Sequence, residues 1–406
     1  MRLREDARLI FDHALSSVAP RAAVTKAVNQ LNISSHPIYS IAIGKAATSM
    51  SLGLDDALGE KLTAGVLVSS TTHNSTRWQS FLGGHPLPNE ASLAAARAAF
   101  ALLDRANAEQ ATVIFLISGG GSAMIEWPIS DDISLRDLRA ANQDLISCGA
   151  SIAEINSVRR AFSAIKGGGL ARRSPHAQVF TLIVSDTNLG DEASVASGPT
   201  LAAPPDAPKA IEVVNHYGLD TILPKSIMNA IRRPTPSPEP VNGSHVVLLD
   251  NATATRAAHQ KAIELGFACS VMENINEQPI QEGCDLLLAN PSSTISGGEF
   301  SCPVRGDGRG GRNLETALRC AIGLHNQTSH TVVLSAGTDG IDGNSPAAGA
   351  IADETTIQRA RNLSLDAEQY LARSDSHTFF EQLNDLVVTG PTGTNVRDLR
   401  ILLRSA

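Results

Sequence analysis

The residue types best suited to chemistry are concentrated in residues 296–318. This segment contains six glycines together with Arg305, Arg309 and Arg312, and a helical pattern begins near Asn313. Glycines let a backbone approach an anion closely, and the positive end of the helix dipole would point towards the same place. Arginine side chains can donate two hydrogen bonds to one phosphate or carboxylate. The segment therefore predicts an oxyanion site, with a flexible loop of solvated arginines as the alternative.

Two apolar runs elsewhere in the chain end in further candidate anion sites. Residues 38–43 lead into Gly44 and Lys45, where the lysine is either a phosphate-facing cation or a solvated surface residue. Residues 113–117 lead into a loop consisting of Ser118, Gly119, Gly120, Gly121 and Ser122. Such glycine turns after a strand present backbone N–H groups to anions. The turn at Gly44 and Lys45 is not a P-loop, since the upstream glycine is missing and Ala46 follows the lysine.

Acidic residues follow a further apolar run, 179–184. Asp186 and Asp191 lie close behind it, and acids at a strand end near phosphate-binding loops are natural magnesium ligands. Turn or helix capping is the alternative for either acid taken singly. Asp339 and Asp342 match a calcium loop in spacing only, because the later ligands of that loop are missing.

Composition limits the class of protein. A chain of 406 residues predicts two domains, and its net charge of −8 argues against nucleic acid as the main partner. The odd number of scattered cysteines predicts a reducing compartment and no structural zinc site. These cysteines are Cys148, Cys269, Cys284, Cys302 and Cys320. The N-terminal segment is amphipathic with acids among its apolar residues, so we expect no signal peptide or membrane span and a cytoplasmic protein.

The chain repeats one pattern, in which an apolar strand is followed by a Gly/Ser/Thr/Asp loop and then a helix. This pattern predicts an α/β fold whose two domains each contain a mainly parallel, Rossmann-like sheet flanked by helices. We expect an N-terminal domain at 1–233, a proline-rich linker at 234–244 and a C-terminal domain at 245–406. Ligands bind beyond the carboxyl ends of parallel strands, which predicts an active site in the cleft between the two domains.

Motifs along nearly the whole chain, in order, resemble the class II glycerate kinases (glycerate 2-kinases), whose C-terminal half is called the MOFRL domain. The matching motifs are Gly44-Lys45-Ala46-Ala47, Gly84-His85-Pro86, Ser118-Gly119-Gly120-Gly121-Ser122, Asn156-Ser157-Val158-Arg159, Ile165-Lys166-Gly167-Gly168, Ser197-Gly198-Pro199-Thr200, Ser296-Gly297-Gly298-Glu299, Gly308-Arg309-Gly310-Gly311-Arg312-Asn313, Gly337-Thr338-Asp339-Gly340 and Thr392-Gly393-Thr394-Asn395. The resemblance implies transfer of the γ-phosphoryl group of ATP to the 2-hydroxyl of D-glycerate, with Mg²⁺ or another divalent cation.

The resemblance also implies roles for individual residues. Lys45 and an arginine of the GRGGRN loop would do the central electrostatic work, and Arg312 is favoured over Arg309 because Asn313 follows it. Asp191 is the predicted catalytic carboxylate, and Asp186 or Asp191 would hold the metal or accept the proton of the 2-hydroxyl. The family usually shows SDVPGDD where this chain has SDTNLGDE, so the metal ligand stays open. The predicted substrate- and phosphate-binding residues are Gly44, His85, Ser118, Gly119, Gly120, Gly121, Ser122, Asn156, Arg159, Lys166, Glu299, Gly308, Gly310, Gly311, Asn313, Asp339, Thr394 and Asn395.

Two other functions compete with the kinase. A nicotinamide-dependent hydroxypyruvate reductase has as support the α/β pattern and a GxGxxG match at Gly306, Gly308 and Gly311. That match is weak, because Pro303 precedes it and no acid follows at a strand end about 20 residues on. A non-catalytic binder of small anions ranks third. The expected partners are the small molecules D-glycerate and ATP, with no nucleic acid and no membrane, and a homo-oligomer stays open.

Overall fold

The structure is a computed structural model that describes residues 2–34, 37–72, 75–188, 190–233, 241, 243–325, 327 and 330–405. The chain divides into two compact units. The first unit is Pro20–Leu249, and the second combines Met1–Ala19 with Asp250–Ala406. In the described part of the chain, no helix has the length and apolar character needed to cross a membrane.

Helices and strands alternate along most of the chain. The helices are α1 (Arg2–Ser17), α2 (Pro20–Val28), α3 (Ala47–Leu58), α4 (Glu90–Ala108), α5 (Gly121–Met124), α6 (Leu135–Ser147), α7 (Ile152–Phe162), α8 (Gly169–Arg172), α9 (Ala210–His216), α10 (Lys225–Arg232), α11 (Asn251–Glu264), α12 (Ile280–Ala289), α13 (Arg312–Leu324), α14 (Thr356–Asn362), α15 (Ala367–Ala372) and α16 (Ser376–Leu383). The strands are β1 (Ile38–Ile43), β2 (Leu62–Ser69), β3 (Trp78–Leu82), β4 (Thr112–Ser118), β5 (Gln178–Val184), β6 (Ser244–Leu249), β7 (Cys269–Met272), β8 (Ser293–Gly298), β9 (Thr331–Gly337), β10 (Gly349–Asp353), β11 (Leu386–Val387) and β12 (Asp398–Arg404).

The first unit contains a six-stranded parallel sheet in the order β3-β2-β1-β4-β5-β6. Every residue of β1 and β4 is buried. Strands covered on both faces need apolar side chains on both, which explains the uninterrupted apolar runs of the sequence. Ile43 pairs with Ile117, so Gly44 and Ser118 come next at the same edge of the sheet. The parallel sheet expected for this part of the chain is confirmed.

Helices of the first unit bury two separate apolar clusters. Helix α4 contributes Ala95, Ala99 and Leu103 to the main core around Phe115 of the sheet. Helices α6, α7, α9 and α10 bury a second cluster, which includes Phe162 at the end of α7. Because one side of α7 is committed to this second cluster, its remaining faces are available for polar contacts.

The sheet of the second unit has the order β11-β10-β9-β12-β8-β7. Strands β7, β8, β9 and β11 share one direction, whereas β10 and β12 run the opposite way. The sheet is therefore mixed, with antiparallel pairs that the sequence did not predict. The predicted α/β fold of two domains with helix-flanked sheets is confirmed. The residues between β9 and β10 contain no helix, and a connection without a crossover favours antiparallel pairing. Helix α13 packs on β9 and β10 with most of its residues buried.

The unit boundaries differ from the predicted domain boundaries at both ends. Helix α1 packs on α11, β9 and β12 of the second unit, where Ile10 and Phe11 are fully buried and Arg4 forms ion pairs with Asp353 and Asp385. Strand β6 pairs with β5 and so belongs to the first unit. Sequence order alone could not reveal that α1 belongs to the second unit or that β6 belongs to the first. Residues 234–240 and 242 of the predicted linker lie outside the described residues.

Candidate functional site

The carboxyl ends of β1 and β4 bring Gly44, Lys45 and Ser118 together. The Lys45 N–H donates to the carbonyl of Gly119 at 2.9 Å, and the Ala46 N–H donates to Oγ of Ser118 at 3.0 Å. Gly44 has φ +114°, and a Cβ there would collide with the Ser118 backbone and lie 2.8 Å from the Gly119 carbonyl oxygen. Only glycine fits this position, because a side chain would be strained and obstructed at once.

Two glycines of the following loop lie against predicted site side chains. A Cβ on Gly119 would overlap the carboxylate of Asp186. A Cβ on Gly120, where φ is +78°, would lie 3.0 Å from Cγ of Lys45 and 3.5 Å from Cδ2 of His85. Lys45, His85 and Asp186 therefore gather around this one turn, and the missing side chains are what let them approach it.

A chain of hydroxyl and amide groups continues from this loop. The hydroxyls of Ser122 and Ser197 are 2.7 Å apart, and Ser197 donates to Oδ1 of Asn156 at 2.7 Å. Asn156 also donates to the carbonyl of Ser194 at 3.5 Å, and the Ser194 hydroxyl donates to Oδ1 of Asp191 at 2.7 Å. Three predicted residues are thus connected through two serines to which the sequence analysis gave no role.

Ser197 occupies an unusual backbone conformation. Its φ is +61° and that of Ala196 is +52°, so two non-glycine residues adopt the left-handed region immediately before Gly198. Such conformations persist where the surrounding structure enforces them, and they cluster at functional sites. The signal available in the sequence was the Ser-Gly-Pro-Thr motif, which placed Ser197 in the pattern without giving it a role.

The predicted substrate-binding cations Lys166 and Arg159 are both buried. Lys166 forms an ion pair with Glu126, and both side chains are almost completely inaccessible. Burial lowers the pKa of Lys166, and the negative charge of Glu126 opposes that shift. Arg159 donates from Nε to Oδ1 of Asn142 at 2.8 Å and is also buried. The structure therefore places both cations in internal contacts rather than at the protein surface.

In the second unit, Arg312 begins α13 and lies between two carboxylates. Its Nε donates to Oδ2 of Asp398 at 2.5 Å, and its guanidinium lies 2.7 Å from the predicted site residue Glu299. Burial alone would lower the pKa of Arg312, but Asp398 and Glu299 raise it above its ordinary value. Burial would likewise raise the pKa of Asp398, but Arg312 holds it below its usual range. Asp398 was not predicted, because this contact joins distant parts of the sequence.

A side-chain carboxyl group of the protein itself is hydrogen-bonded to the amino end of α13. Asp342 accepts hydrogen bonds from the N–H groups of Asn313 at 3.1 Å and Leu314 at 2.8 Å. Burial raises the pKa of Asp342 to about 7. The predicted site residue Asn313 is itself buried, with its side chain bonded to Asp342 and Ser335. The prediction that this helix dipole points at a bound phosphate is therefore corrected, since Asp342 takes that position.

Backbone N–H groups of the second glycine loop are bonded to the protein itself. Those of Gly308, Arg309 and Gly310 donate to the Arg373 carbonyl at 3.1 Å, to Asp375 at 3.0 Å and to Asn344 at 2.8 Å, respectively. The Arg309 side chain is exposed. The loop borders a pocket of about 370 Å³. The contribution of the glycine loop to anion binding therefore depends on its side chains rather than on these backbone N–H groups. Residues that line the pocket include Gly308, Gly310, Gly311, Arg312, Asp342 and Asn344.

The other predicted residues of this unit lie at the end of β9 and before β12. A Cβ on Gly337 would lie 3.2 Å from Oδ1 of Asp339 and 3.4 Å from Oδ1 of Asp398. Thr394 and Asn395 are buried, and the Thr394 hydroxyl has no hydrogen-bond partner among the described residues. The predicted site residues therefore form two groups, one around Lys45 in the first unit and one around Arg312 in the second.

The donor set for a metal is limited. Within the described ranges, no group of three or more His, Cys, Asp and Glu side chains is placed to hold a metal ion. Magnesium usually keeps several waters and binds proteins through one or two carboxylates together with substrate phosphates. Asp186 beside Gly119 and Asp191 beside Ser194 are carboxylates at a strand-end loop of that kind. Their chemistry fits a magnesium ion that is bound with a phosphorylated ligand.

A parallel sheet whose strands end in glycine turns, with a lysine and acids around them, is typical of α/β enzymes that bind phosphate-bearing ligands. The chain matches a domain of unknown function, DUF4147, over residues 6–232 and the MOFRL family over residues 292–398. It is 35% identical over 410 residues to a D-glycerate 2-kinase from Thermotoga maritima, covering 97% of this chain and 96% of that protein. This chain belongs to the glycerate 2-kinase family with a C-terminal MOFRL domain.

Two further comparisons agree with that assignment of family. The crystal structure of a glycerate kinase from Thermotoga maritima superimposes with a TM-score of 0.87 at 32% identity, covering 100% of both chains. A protein from Agrobacterium vitis that is named as a hydroxypyruvate reductase is 35% identical over 422 residues, covering 98% of this chain and 94% of that protein. Some members of the family are therefore named as kinases and others as reductases, and the chemistry of the site must distinguish the two activities.

Proposed function

We propose that this protein transfers the γ-phosphoryl group of ATP to the 2-hydroxyl of D-glycerate, giving 2-phosphoglycerate and ADP. The observation that carries the proposal is the turn at Gly119 and Gly120, around which Lys45, His85 and Asp186 gather. A cation, an imidazole and a carboxylate at the carboxyl edge of a parallel sheet suit a phosphorylated nucleotide and a small hydroxy acid. The membership of the glycerate 2-kinase family supports the same substrates.

Phosphoryl transfer requires the protein mainly to position the reactants and neutralise developing charge. Lys45 is the second residue after the buried strand β1, and its backbone is fixed by the hydrogen bond from its N–H to the Gly119 carbonyl. We assign Lys45 to the transferring phosphoryl group, where a well-placed cation contributes about 3–5 orders of magnitude in rate. Asp191 would accept the proton of the 2-hydroxyl, since its Oδ1 is already oriented by the Ser194 hydroxyl.

Magnesium would be held by Asp186 or Asp191 together with ATP phosphates. Bound there, the ion would neutralise phosphate charge and leave the protein to orient the acceptor. Magnesium sites of this kind need no more protein ligands than these two carboxylates can supply.

Arg312 is the second cation in the proposal. Asp398 and Glu299 fix its guanidinium between them, so its position is set before any ligand arrives. Arg309 is exposed on the loop three residues earlier and could reach a ligand as a less restrained cation. We favour Arg312 as the catalytic cation, because a charge that is already fixed in position needs less reorganisation when the ligand binds than a mobile one.

Nicotinamide binding has weaker support from the same site. In a dinucleotide-binding turn, a short glycine loop joins strand to helix and the pyrophosphate lies at the helix N-terminus. Here residues 299–311 separate β8 from α13, and Asp342 occupies the N-terminus of that helix. Asp342 already accepts the N–H groups that a pyrophosphate would need, so the reductase ranks below the kinase.

The decisive test is incubation of the protein with ATP, magnesium and D-glycerate, with the product resolved by phosphorus NMR. We expect 2-phosphoglycerate. The 3-isomer would retain the kinase and contradict the regiochemistry, whereas no transfer by a folded protein would contradict the proposal. A parallel reaction with NADH and hydroxypyruvate, followed by absorbance, tests the reductase. A cytoplasmic location also stays a prediction.

A further inference from the structure

Helix α7 carries two adjacent arginines whose side chains lie in different surroundings. Arg159 is buried and bonded to Asn142, as described above. Arg160 is only partly buried, and it lies one helical turn after Asn156. Residues four apart share one face of a helix, so Arg160 faces the same side as the hydrogen-bonded chain that Asn156 forms with Ser197.

The stem of Arg160 is held in place by close packing. A Cβ on Gly167 would lie 3.3 Å from Cδ and 3.4 Å from Cγ of Arg160, so this glycine leaves the space that the arginine occupies. The N–H of Gly167 in turn donates to the carbonyl of Ser197 at 3.1 Å. The arginine is therefore fixed beside the strained segment that contains Ser197.

The head of Arg160 lacks a full set of acceptors. Its Nε is buried, yet that atom has no hydrogen-bond partner among the described residues. Buried donors are normally paired, and those that are not call for a specific explanation such as an absent ligand. Burial lowers the pKa of Arg160, and the negative charge of Asp191 opposes that shift, so the guanidinium stays charged.

We propose that Arg160 binds an oxyanion of a reactant beside Ser197 and Asp191. This inference rests on the proposed function for the identity of the reactants, which offer two oxyanions: the carboxylate of D-glycerate and the phosphates of ATP. A guanidinium can donate two parallel hydrogen bonds to either group. Of the cations on α7 and in the segment that follows it, Arg159 and Lys166 already have internal partners. Arg160 therefore replaces them as the ligand-binding cation.

The first test is a pair of steady-state titrations, one for each reactant. Arg160→Met should raise the KM of the reactant that it binds by about 10- to 100-fold, the range expected for a lost charge-assisted hydrogen bond. The KM of the other reactant should change little. Arg160→Lys should recover part of the loss, since it restores charge without the fork. The exposed Arg232→Met serves as the matched control and should leave both KM values unchanged.

Calorimetric titration with D-glycerate and, separately, with magnesium and ATP tests the same point without turnover. Weaker binding of D-glycerate alone identifies the carboxylate, and weaker binding of ATP alone identifies a phosphate. A folded Arg160→Met protein that binds both reactants as tightly as the wild type overturns the inference.

A second variant and the behaviour of the wild type distinguish a folding defect, and a failure of the proposed function, from a failure of this inference. If Arg160→Met does not fold, Arg160→Gln keeps a polar side chain that fills the space of the arginine stem and is expected to show the same loss of affinity. Wild-type affinity in that variant would overturn the inference. A wild type that binds both reactants without transferring phosphate contradicts the proposed function, while the calorimetric comparison still decides the role of Arg160. A wild type that binds neither contradicts both.

Discussion

The two glycine-rich loops of this protein have similar compositions and opposite surroundings. In the loop after β4, Gly119 and Gly120 lie directly against Asp186, Lys45 and His85, with no room for a side chain between them. In the loop before α13, the N–H groups of Gly308 and Gly310 donate to the Arg373 carbonyl and the Asn344 side chain, and that of Arg309 donates to Asp375. The first loop brings site side chains together, and the second is held by the protein around it.

This difference shows that glycine content alone does not identify an anion site. What matters is which groups lie next to the glycine and whether its N–H already has an acceptor. At α13 the acceptor is even a carboxylate, since Asp342 occupies the position that a phosphate would take. The first loop is therefore the stronger candidate for direct contact with phosphate, and the second for presenting Arg309 and Arg312.

The largest effect expected from this comparison is at Lys45. Lys45→Ala should lower kcat by about 3–5 orders of magnitude, because the cation next to the first loop would no longer stabilise the transferring group. Its thermal unfolding should match the wild type. Lys61→Ala, which removes an exposed lysine of the same unit, is the control and should retain full activity. A folded and active Lys45→Ala protein would remove the first loop from the site.

A smaller effect is expected when the two loops receive the same substitution. Gly119→Ala should lower kcat/KM by about 100-fold, since its Cβ displaces Asp186 and such misplacement of a reacting group is worth that much. Gly308→Ala places a Cβ 2.5 Å from Cβ of Asp375 and 2.6 Å from the Arg373 carbonyl, which should destabilise the fold by about 1–3 kcal/mol. Steady-state kinetics and chemical denaturation of both variants measure the contrast. If Gly119→Ala and Gly308→Ala lose the same activity and the same stability, the contrast between the two loops is contradicted.

The smallest effect concerns pH and the carboxylate at α13. The pKa of Asp342 is raised to about 7 in the folded protein, whereas an unfolded aspartate titrates near 4, about its ordinary value. Between these values the folded state binds the extra proton, so this contribution to stability is complete below pH 4 and is lost as pH rises through 7. From pH 5 to pH 8 the wild type should lose roughly 2 kcal/mol that Asp342→Asn does not lose.

Denaturant unfolding at several pH values checks this prediction. The exposed Asp307→Asn variant is the control and should follow the wild-type pH dependence. Identical slopes for the wild type and Asp342→Asn would mean that the carboxylate does not hold its proton in the folded state.

Local sequence patterns predicted the parts of the fold and site that depend on neighbouring residues. The buried strands β1 and β4 and the loops that follow them are where the apolar runs placed them, because strand burial needs apolar residues on both faces. Contacts between distant segments were not predictable in this way. Asp398 and Asp342 reach Arg312 and α13 only through the tertiary fold, and no spacing in the sequence indicates those partners.

The direction in which a helical side chain points was equally inaccessible from the sequence. Arg159 and Arg160 are neighbours of the same type, and the sequence analysis selected Arg159 through the resemblance. A step of one residue rotates the side chain by about 100° around the helix. Arg159 consequently enters the interior beside Asn142, and Arg160 packs against Gly167, within the electrostatic influence of Asp191.

The position of α1 has a consequence for dissecting the molecule. A fragment that begins at Asp250 would lack the helix that covers β9 and β12, and it would leave Asp353 and Asp385 without Arg4. The complementary fragment would carry Ile10 and Phe11 with nothing from the second unit to bury them. A single cut at the boundary near Asp250 therefore leaves one fragment without its packing helix and the other with exposed apolar residues. A version of the second unit in which Arg2–Ser17 is joined ahead of Asn251 retains its own first helix and is the one suited to separate expression.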